Sequence, residues 1–305
     1  MSKSKARRSG PPPEPGIVVV DKPAGMTSHD VVSRCRRAFA TRKVGHAGTL
    51  DPAATGVLLI GIERATKLLG HLSLTTKTYE TTIRLGALTS TDDAEGETLT
   101  SAPAGHLRRE DLDAPVAALT GEIMQRPAAV SAIKIAGKRA YERVRSGEDV
   151  EIPARPVTVH RFEIVDVRPG ADGADVLDVD AVVDCSSGTY IRSLARDLGE
   201  ALGVGGHLTA LRRTRVGDFG LSVARTLDQL AEHAEVSISL DDAVLDCFPH
   251  RPVTAEEAIG LAHGKWLEPV GEKATVAAVD PEGVPVALLR ESGSRAAPVF
   301  LVRPQ

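Results

Sequence analysis

Residues 45–56 read Gly-His-Ala-Gly-Thr-Leu-Asp-Pro-Ala-Ala-Thr-Gly. No regular element runs through such a stretch, because its glycines loosen the backbone while Pro52 fixes φ and removes a donor. It must be a tight, irregular connection between two regular elements. Upstream, Ile17–Asp21 has the β-branched texture of a strand, and Lys22-Pro23-Ala24-Gly25 that of a turn. Thr27 then offers an N-cap with Asp30 three positions on, and Val31, Val32, Cys35, Ala38 and Phe39 follow at helical spacing. The spacing predicts a loop over Val44–Gly56 and a buried strand at Val57–Ile62. Loops held on a rigid scaffold are where functional groups concentrate, and Asp51 is the only carboxylate in this one. Taken alone, an aspartate before proline is a turn former.

Glu63–Leu72 reads as a short helix. Thr78–Leu85 alternates, with Tyr79, Thr81, Ile83 and Leu85 on one face, as in a half-buried strand. Thr91–Gly96 lacks the ligand order of a calcium loop and reads as a polar loop. A helix is expected near Asp113–Leu119 and strands around Pro156–Val167 and Val176–Val183. Ile191, Leu194, Ala195, Leu198 and Leu202 make Thr189–Leu202 an amphipathic helix. Beyond Asp246 the texture changes: Thr254 and Glu257 cap a short helix, 274–279 and 284–289 form a hairpin, and Phe300–Val302 is a last strand. Strands and helices without regular βαβ alternation give an α+β fold class with a small β-rich appendage at 246–305.

The apolar runs are far too short to span a bilayer, which takes about 20 residues, so no membrane partner is expected. Cys35, Cys185 and Cys247 stand far apart, which excludes a disulfide framework and a thiolate zinc site and fits a reducing, cytoplasmic setting. The nine histidines make no metal-ligand pair, and no glycine-rich nucleotide fingerprint occurs, so no metal and no cofactor is expected. Residues 1–15 read as a disordered basic and proline-rich arm rather than a signal peptide. The net charge of −4 is unevenly spread: residues 1–80 hold 13 Lys+Arg and 6 Asp+Glu, leaving −11 for the remainder. Within that remainder, Arg126–Ser146 carries six basic residues and Arg192–Arg215 five arginines. Brought onto one face, these segments would make a polyanion track; separately they are solvated charges.

Two further stretches invite chemistry. Asp184-Cys185-Ser186-Ser187-Gly188-Thr189-Tyr190-Ile191-Arg192 ends a strand, turns, and opens a helix with Arg192 in its first turn. A cation is disfavoured at that end of a helix, so Arg192 needs a carboxylate partner from elsewhere. Leu208–Val216 sets clustered arginines after Leu211.

Together with Lys22-Pro23-Ala24-Gly25-Met26-Thr27-Ser28 and Lys77-Thr78-Tyr79, these stretches occur in the order and approximate spacing of the TruB family of bacterial tRNA pseudouridine-55 synthases, which the chain resembles from about residue 16 to 241. The Gly-Thr-Leu-Asp-Pro form of the loop separates that family from the Arg-Leu-Asp families acting on large-subunit rRNA. The resemblance implies a pseudouridine synthase catalytic fold over 16–245, with a mixed, largely antiparallel sheet flanked by helices, and a small PUA-like domain over 246–305, close to the truncated actinobacterial type.

Its implications reach single residues. Asp51 matches the nucleophile, Tyr79 the residue that stacks on the flipped uracil, and Arg192 the arginine paired with the catalytic carboxylate. His46, Tyr190 and Leu211 match substrate-lining positions, and Lys22 belongs to the first family motif. The segment at about 126–150 corresponds to a thumb-like insertion that clamps the tRNA T-arm, with Lys134, Lys138, Arg139 and Arg143, together with Arg212 and Arg213, toward the RNA backbone. Breaking N1–C1′ and rejoining the uracil through C5 needs no redox change; a carboxylate nucleophile can hold the intermediate while the base turns. Attack at C1′, attack at C6 and a glycal route all remain open.

Three other readings stand beside this one. A catalytically inert RNA chaperone could use the same fold. A glycosidase would need a second carboxyl group across the bond, and none stands out. A guide-RNA-dependent synthase would need partner proteins. The resemblance favours a monomer acting on the elbow region of tRNA without guide RNA or obligate protein partner.

Overall fold

The computed structural model describes residues 11–72, 76–128, 152–170 and 175–304, together with the backbone of a strand pair, Lys134–Ile135 and Lys138–Arg139. In chain order the elements that matter are β1 (Gly16–Lys22), α1 (Ser28–Ala38), β2 (Val44–Ala47), β3 (Thr55–Ile62), β4 (Lys77–Leu85), β5 (Gly121–Gln125), β6 (Arg155–Pro169), β7 (Leu177–Cys185), α2 (Ile191–Ala201), β8 (Gly206–Val216), α3 (Leu227–Glu232), β9 (Ile238–Ser239), β10 (His250–Pro252), α4 (Ala255–Ala262), β11 (Val276–Val279), β12 (Pro285–Ser292) and β13 (Arg295–Leu301). They make an α+β fold. The chain divides into two compact units, one of residues 1–51, 57–73 and 218–305, the other of 52–56 and 74–217.

In the first unit, β1 lies between β9 and β3, and β2 runs antiparallel to β3 from Val44 opposite Ile62 to Ala47 opposite Leu59. Ile17, Val18, Val19 and Val20 are all fully buried, which explains why β1 reads as a continuous apolar run instead of alternating: both its faces are covered. Each such side chain contributes on the order of 1.5–3 kcal/mol. The capping box at Thr27 and Asp30 forms as the sequence predicts, and α1 buries Val31, Val32 and Cys35. The C-terminal residues build their own four-stranded sheet, β10–β11–β12–β13, with β10 parallel to β11 and the rest antiparallel. With α4 it encloses a small core that includes Leu261, Val276 and Leu289. The expected hairpin, helix cap and last strand are all present.

The second unit is an antiparallel run, β8–β4–β7–β6–β5. The first residues of β3 add to β8 in parallel, with Thr55 opposite Arg212 and Gly56 opposite Arg213. The alternation of β4 holds: Tyr79, Thr81, Ile83 and Leu85 are buried and Glu80 is exposed. Helix α2 follows β7 and packs on β8 at very close range. A Cβ on Gly199 would stand 2.1 Å from the Gly206 nitrogen, and one on Gly206 would stand 2.4 Å from the Ala195 carbonyl oxygen. Only glycine permits that approach.

Two local expectations change. The glycine-rich loop is shorter than 44–56, because Val44–Ala47 pairs as β2 and Thr55–Gly56 already belongs to β3. Residues 63–72 form a 3-10 turn, Glu63–Lys67, before a single helical turn, Leu69–Leu72, not one helix. Among the described residues no helix is long and apolar enough to cross a membrane.

Candidate active site

In the first unit, Asp51 is half-buried in the short loop between β2 and β3. Gly48, at φ +70°, supplies a left-handed turn that a side chain would strain. Leu50, the neighbour of Asp51, is buried and anchored by Ser28 at the start of α1. The Ser28 hydroxyl donates to the Leu50 carbonyl at 3.1 Å and accepts from the Leu50 N–H at 3.0 Å. His46 is half-buried on β2, opposite Ile60.

Lys22, from the first family motif and expected among the substrate-binding residues, lies in the interior. It is fully buried, and its Nζ donates to the carbonyls of Pro23 at 3.0 Å and Met26 at 2.7 Å. This ammonium ties together the turn that launches α1. A lysine is almost never fully buried unless so paired, and here it shapes backbone.

In the second unit, Tyr79 lies buried on β4 between Arg213 of β8 and Val183 of β7 in register. Leu211, half-buried, stands opposite Thr81 on the same strand pair. Arg212 donates to the Thr55 hydroxyl at 3.3 Å. Arg213, expected to face an RNA backbone, is only 1% exposed. Its backbone closes on Gly56, where a Cβ would stand 2.1 Å from the Arg213 carbonyl oxygen and φ is +100°. Arg213 is therefore an interior cation of the sheet, not a surface contact. It acts on Lys77, also buried: burial first, and Arg213 second, push the Lys77 ammonium from its usual 10.5 down to about 8.

Tyr190 is the N-cap residue of α2, half-buried, and Arg192 follows in the first turn, buried. The carboxylate that helix electrostatics demands for Arg192 is supplied within this unit by Asp93: Nη1 stands 3.3 Å from its Oδ2 and donates to the Thr91 carbonyl at 3.0 Å. One turn on, Arg196 pairs with Asp92 at 3.0 Å and Asp197 at 2.8 Å. Burial pushes both of those carboxyls upward, while Arg196 pulls them back. Sequence reasoning missed Asp92 and Asp93, setting them aside in a polar loop. The usable signal was the conjunction of two adjacent acids there with two arginines, at 192 and 196, on a buried helix face.

Lys134, Lys138, Arg139 and Arg143 fall outside the residues whose side chains are described, as does nearly all of the expected thumb-like insertion. Among the described residues, no group of three His, Cys, Asp or Glu side chains is placed to hold a metal ion.

Comparison with known proteins extends the picture across the chain. The model of the TruB family pseudouridylate synthase N-terminal domain matches residues 36–191. The tRNA pseudouridylate synthase B C-terminal domain matches 192–248, and the C-terminal domain of tRNA pseudouridine synthase II matches 248–303. The tRNA pseudouridine synthase B of Nocardia farcinica is 63% identical over 290 residues, 95% of this chain and 94% of that one. Its counterpart in Corynebacterium aurimucosum is 63% identical over 289 residues, covering 95% and 96%. Among solved structures, a chain of the archaeal box H/ACA sRNP Nop10-Cbf5 complex aligns with a TM-score of 0.69 at 25% identity, over 95% of this chain and 86% of that one.

Proposed function

The chain belongs to the TruB family of pseudouridylate synthases and isomerises uridine in tRNA to pseudouridine, and from that premise we propose that its target is the T-loop uridine at position 55. The observation that carries this reading is identity of 59–63% to curated tRNA pseudouridine synthase B sequences along nearly the whole chain. We assign the catalytic domain to 16–245, the C-terminal domain to 246–305, and the working form to a cytoplasmic monomer that needs neither guide RNA nor protein partner.

Asp51 is the nucleophile. Its loop, bounded by Gly48 and Gly56 and anchored at Leu50, presents the carboxylate without a search through backbone conformations; such prior orientation removes an entropic part of a barrier. Arg192, held by Asp93, is the arginine that the family resemblance assigns to the catalytic carboxylate. The uridine has to leave its stack, at a cost of a few kcal/mol, and stacking on Tyr79 returns about 1–3 kcal/mol. His46, Tyr190 and Leu211 line the substrate. The glycosidic N1–C1′ bond breaks, the uracil turns, and C5–C1′ forms; the hydrogen on C5 leaves to solvent as a proton while N1 gains one, so no electrons are exchanged with another molecule. Basic residues meeting phosphates make binding fall with salt.

The test is tritium release from a tRNA transcript carrying [5-³H]uridine, because joining the sugar to C5 must expel that hydrogen. Wild type is expected to release it, Asp51→Asn to lose at least about four orders of magnitude in rate, and a transcript with cytidine at position 55 to release nothing from that site. Release undiminished by the cytidine substitution would overturn the T-loop assignment. Activity in Asp51→Asn would overturn the nucleophile.

A further inference from the structure

Gln125, the last residue of β5, and Arg155, the first of β6, face each other as register partners on either side of residues 126–154. Both reach the same residue. The Gln125 side chain, 1% exposed, donates from Nε2 to the Tyr190 carbonyl at 3.0 Å and accepts the Tyr190 N–H at Oε1 at 2.8 Å. The Arg155 guanidinium carbon lies 5.1 Å from the centre of the Tyr190 ring, and its Nη2 donates to the Gly188 carbonyl at 3.2 Å.

Tyr190 occupies a position where Ser, Thr, Asp or Asn ordinarily caps a helix with its own oxygen. It has an extended backbone and makes no side-chain cap bond, so its placement has to come from elsewhere. A primary amide carries both a donor and an acceptor, and can therefore meet the N–H and the C=O of one residue together. Burying that amide is costly unless both ends are satisfied, and here both are. The helix does not depend on the ring of Tyr190 for its existence, since α2 buries Ile191, Leu194, Ala195 and Leu198. What Arg155 adds is the direction of the ring.

We propose that Gln125 and Arg155 are positioning residues for Tyr190, the amide fixing its backbone and the guanidinium its ring, so that the wall of the uridine site is set from the two strands that flank residues 126–154. This rests on the reading of Tyr190 as a substrate-lining residue.

The experiment is single-turnover tritium release with enzyme in excess, alongside tRNA affinity by filter binding. Gln125→Leu is expected to slow release by about 10–100-fold, and Arg155→Met by about 3–10-fold, with tRNA affinity within about twofold of wild type; displacements near 1 Å cost rates of this order. Gln125→Glu, which keeps the acceptor and loses the donor, should fall between Gln125→Leu and wild type, and Arg155→Lys should recover part of the Arg155→Met loss. These conservative variants carry the test if a larger change does not fold. In a Tyr190→Ala background, Arg155→Met should cost nothing further, because residues acting through one group are not additive. Equal losses in both backgrounds, losses that follow melting temperature alone, or wild-type rates in the single variants would overturn the proposal. Wild-type activity in Tyr190→Ala would overturn it through the role of Tyr190. An inactive wild type would instead bring down the functional reading beneath it.

Discussion

Residues 45–56 and residues 184–192 both end regular elements and turn sharply, yet they are held by different means. The first carries its shape in its own backbone, with Gly48 and Gly56 at positive φ and Pro52, and its outside ties include bonds between Ser28 and Leu50 and from Arg212 to Thr55. The second is set by side chains that arrive from far along the sequence. Ser186 exchanges bonds with Thr158, Tyr190 is gripped by Gln125, Arg192 pairs with Asp93 and Arg196 with Asp92. A backbone-determined loop announces itself in composition, because glycine and proline are the residues that bend chains. A turn fixed by partners about 30 to 100 positions away does not.

If this contrast is right, the second region is the more easily broken by changing a partner. Arg192→Met removes one half of a pair in which the arginine side chain is 7% exposed and the aspartate 14%. The Asp93 carboxylate would lose this buried partner, a change that costs about 3–5 kcal/mol. We expect a loss of stability of that order in denaturant titrations, together with loss of tritium release. A fall in activity with stability unchanged would mean that Asp93 is not held by Arg192 in the way its geometry indicates.

The first region should break through backbone. Gly56→Ala adds a methyl group at φ +100° and 2.1 Å from the Arg213 carbonyl oxygen, so both the conformation and the space forbid it. A loss of about 3 kcal/mol or more is expected. Ser28→Ala is milder. It leaves the N–H and C=O of buried Leu50 without these bonds, at about 1–3 kcal/mol, and should slow single-turnover release about tenfold by loosening the residue beside Asp51. Wild-type turnover with only stability lost would make Ser28 a structural anchor alone.

The same contrast governs what could be read from the chain. The alternation of β4, the capping boxes at Thr27 and Thr254, and the amphipathic face of α2 are local and were legible, each within a residue or two. So was the irregular loop that carries Asp51, from its glycines and Pro52, while the role of Asp51 came only with the family resemblance. Arg213 was misread as facing RNA because charge is the strongest local cue to exposure, and its burial depends on strands far away in sequence. The burial of Lys22 was missed although the carbonyls it binds, those of Pro23 and Met26, lie within four residues of it. For Asp92 and Asp93 the reverse holds: two acids among Thr and Gly look like any solvated turn until the arginines of α2 are brought to them.

Lys77 offers the gentlest way to sharpen this account, since it titrates an interior cation without breaking the sheet. It lies on β4 opposite Cys185 and Val216, buried, with its ammonium lowered to about 8 by burial and by Arg213. Below pH 8 the lysine is charged in both folded and unfolded chains, and its burial penalty is present in full. Between about 8 and the usual 10.5 the unfolded chain binds the proton more tightly than the folded one, so raising the pH favours folding. Going from pH 8 to 9, this one group should add about 1 kcal/mol of stability. Other groups titrate in that range, and comparison with Lys77→Met removes their common contribution. The stability of wild type relative to Lys77→Met should rise by about 1 kcal/mol over that step. Two parallel curves would mean that the Lys77 ammonium is held by more favourable partners than its burial and Arg213 would allow.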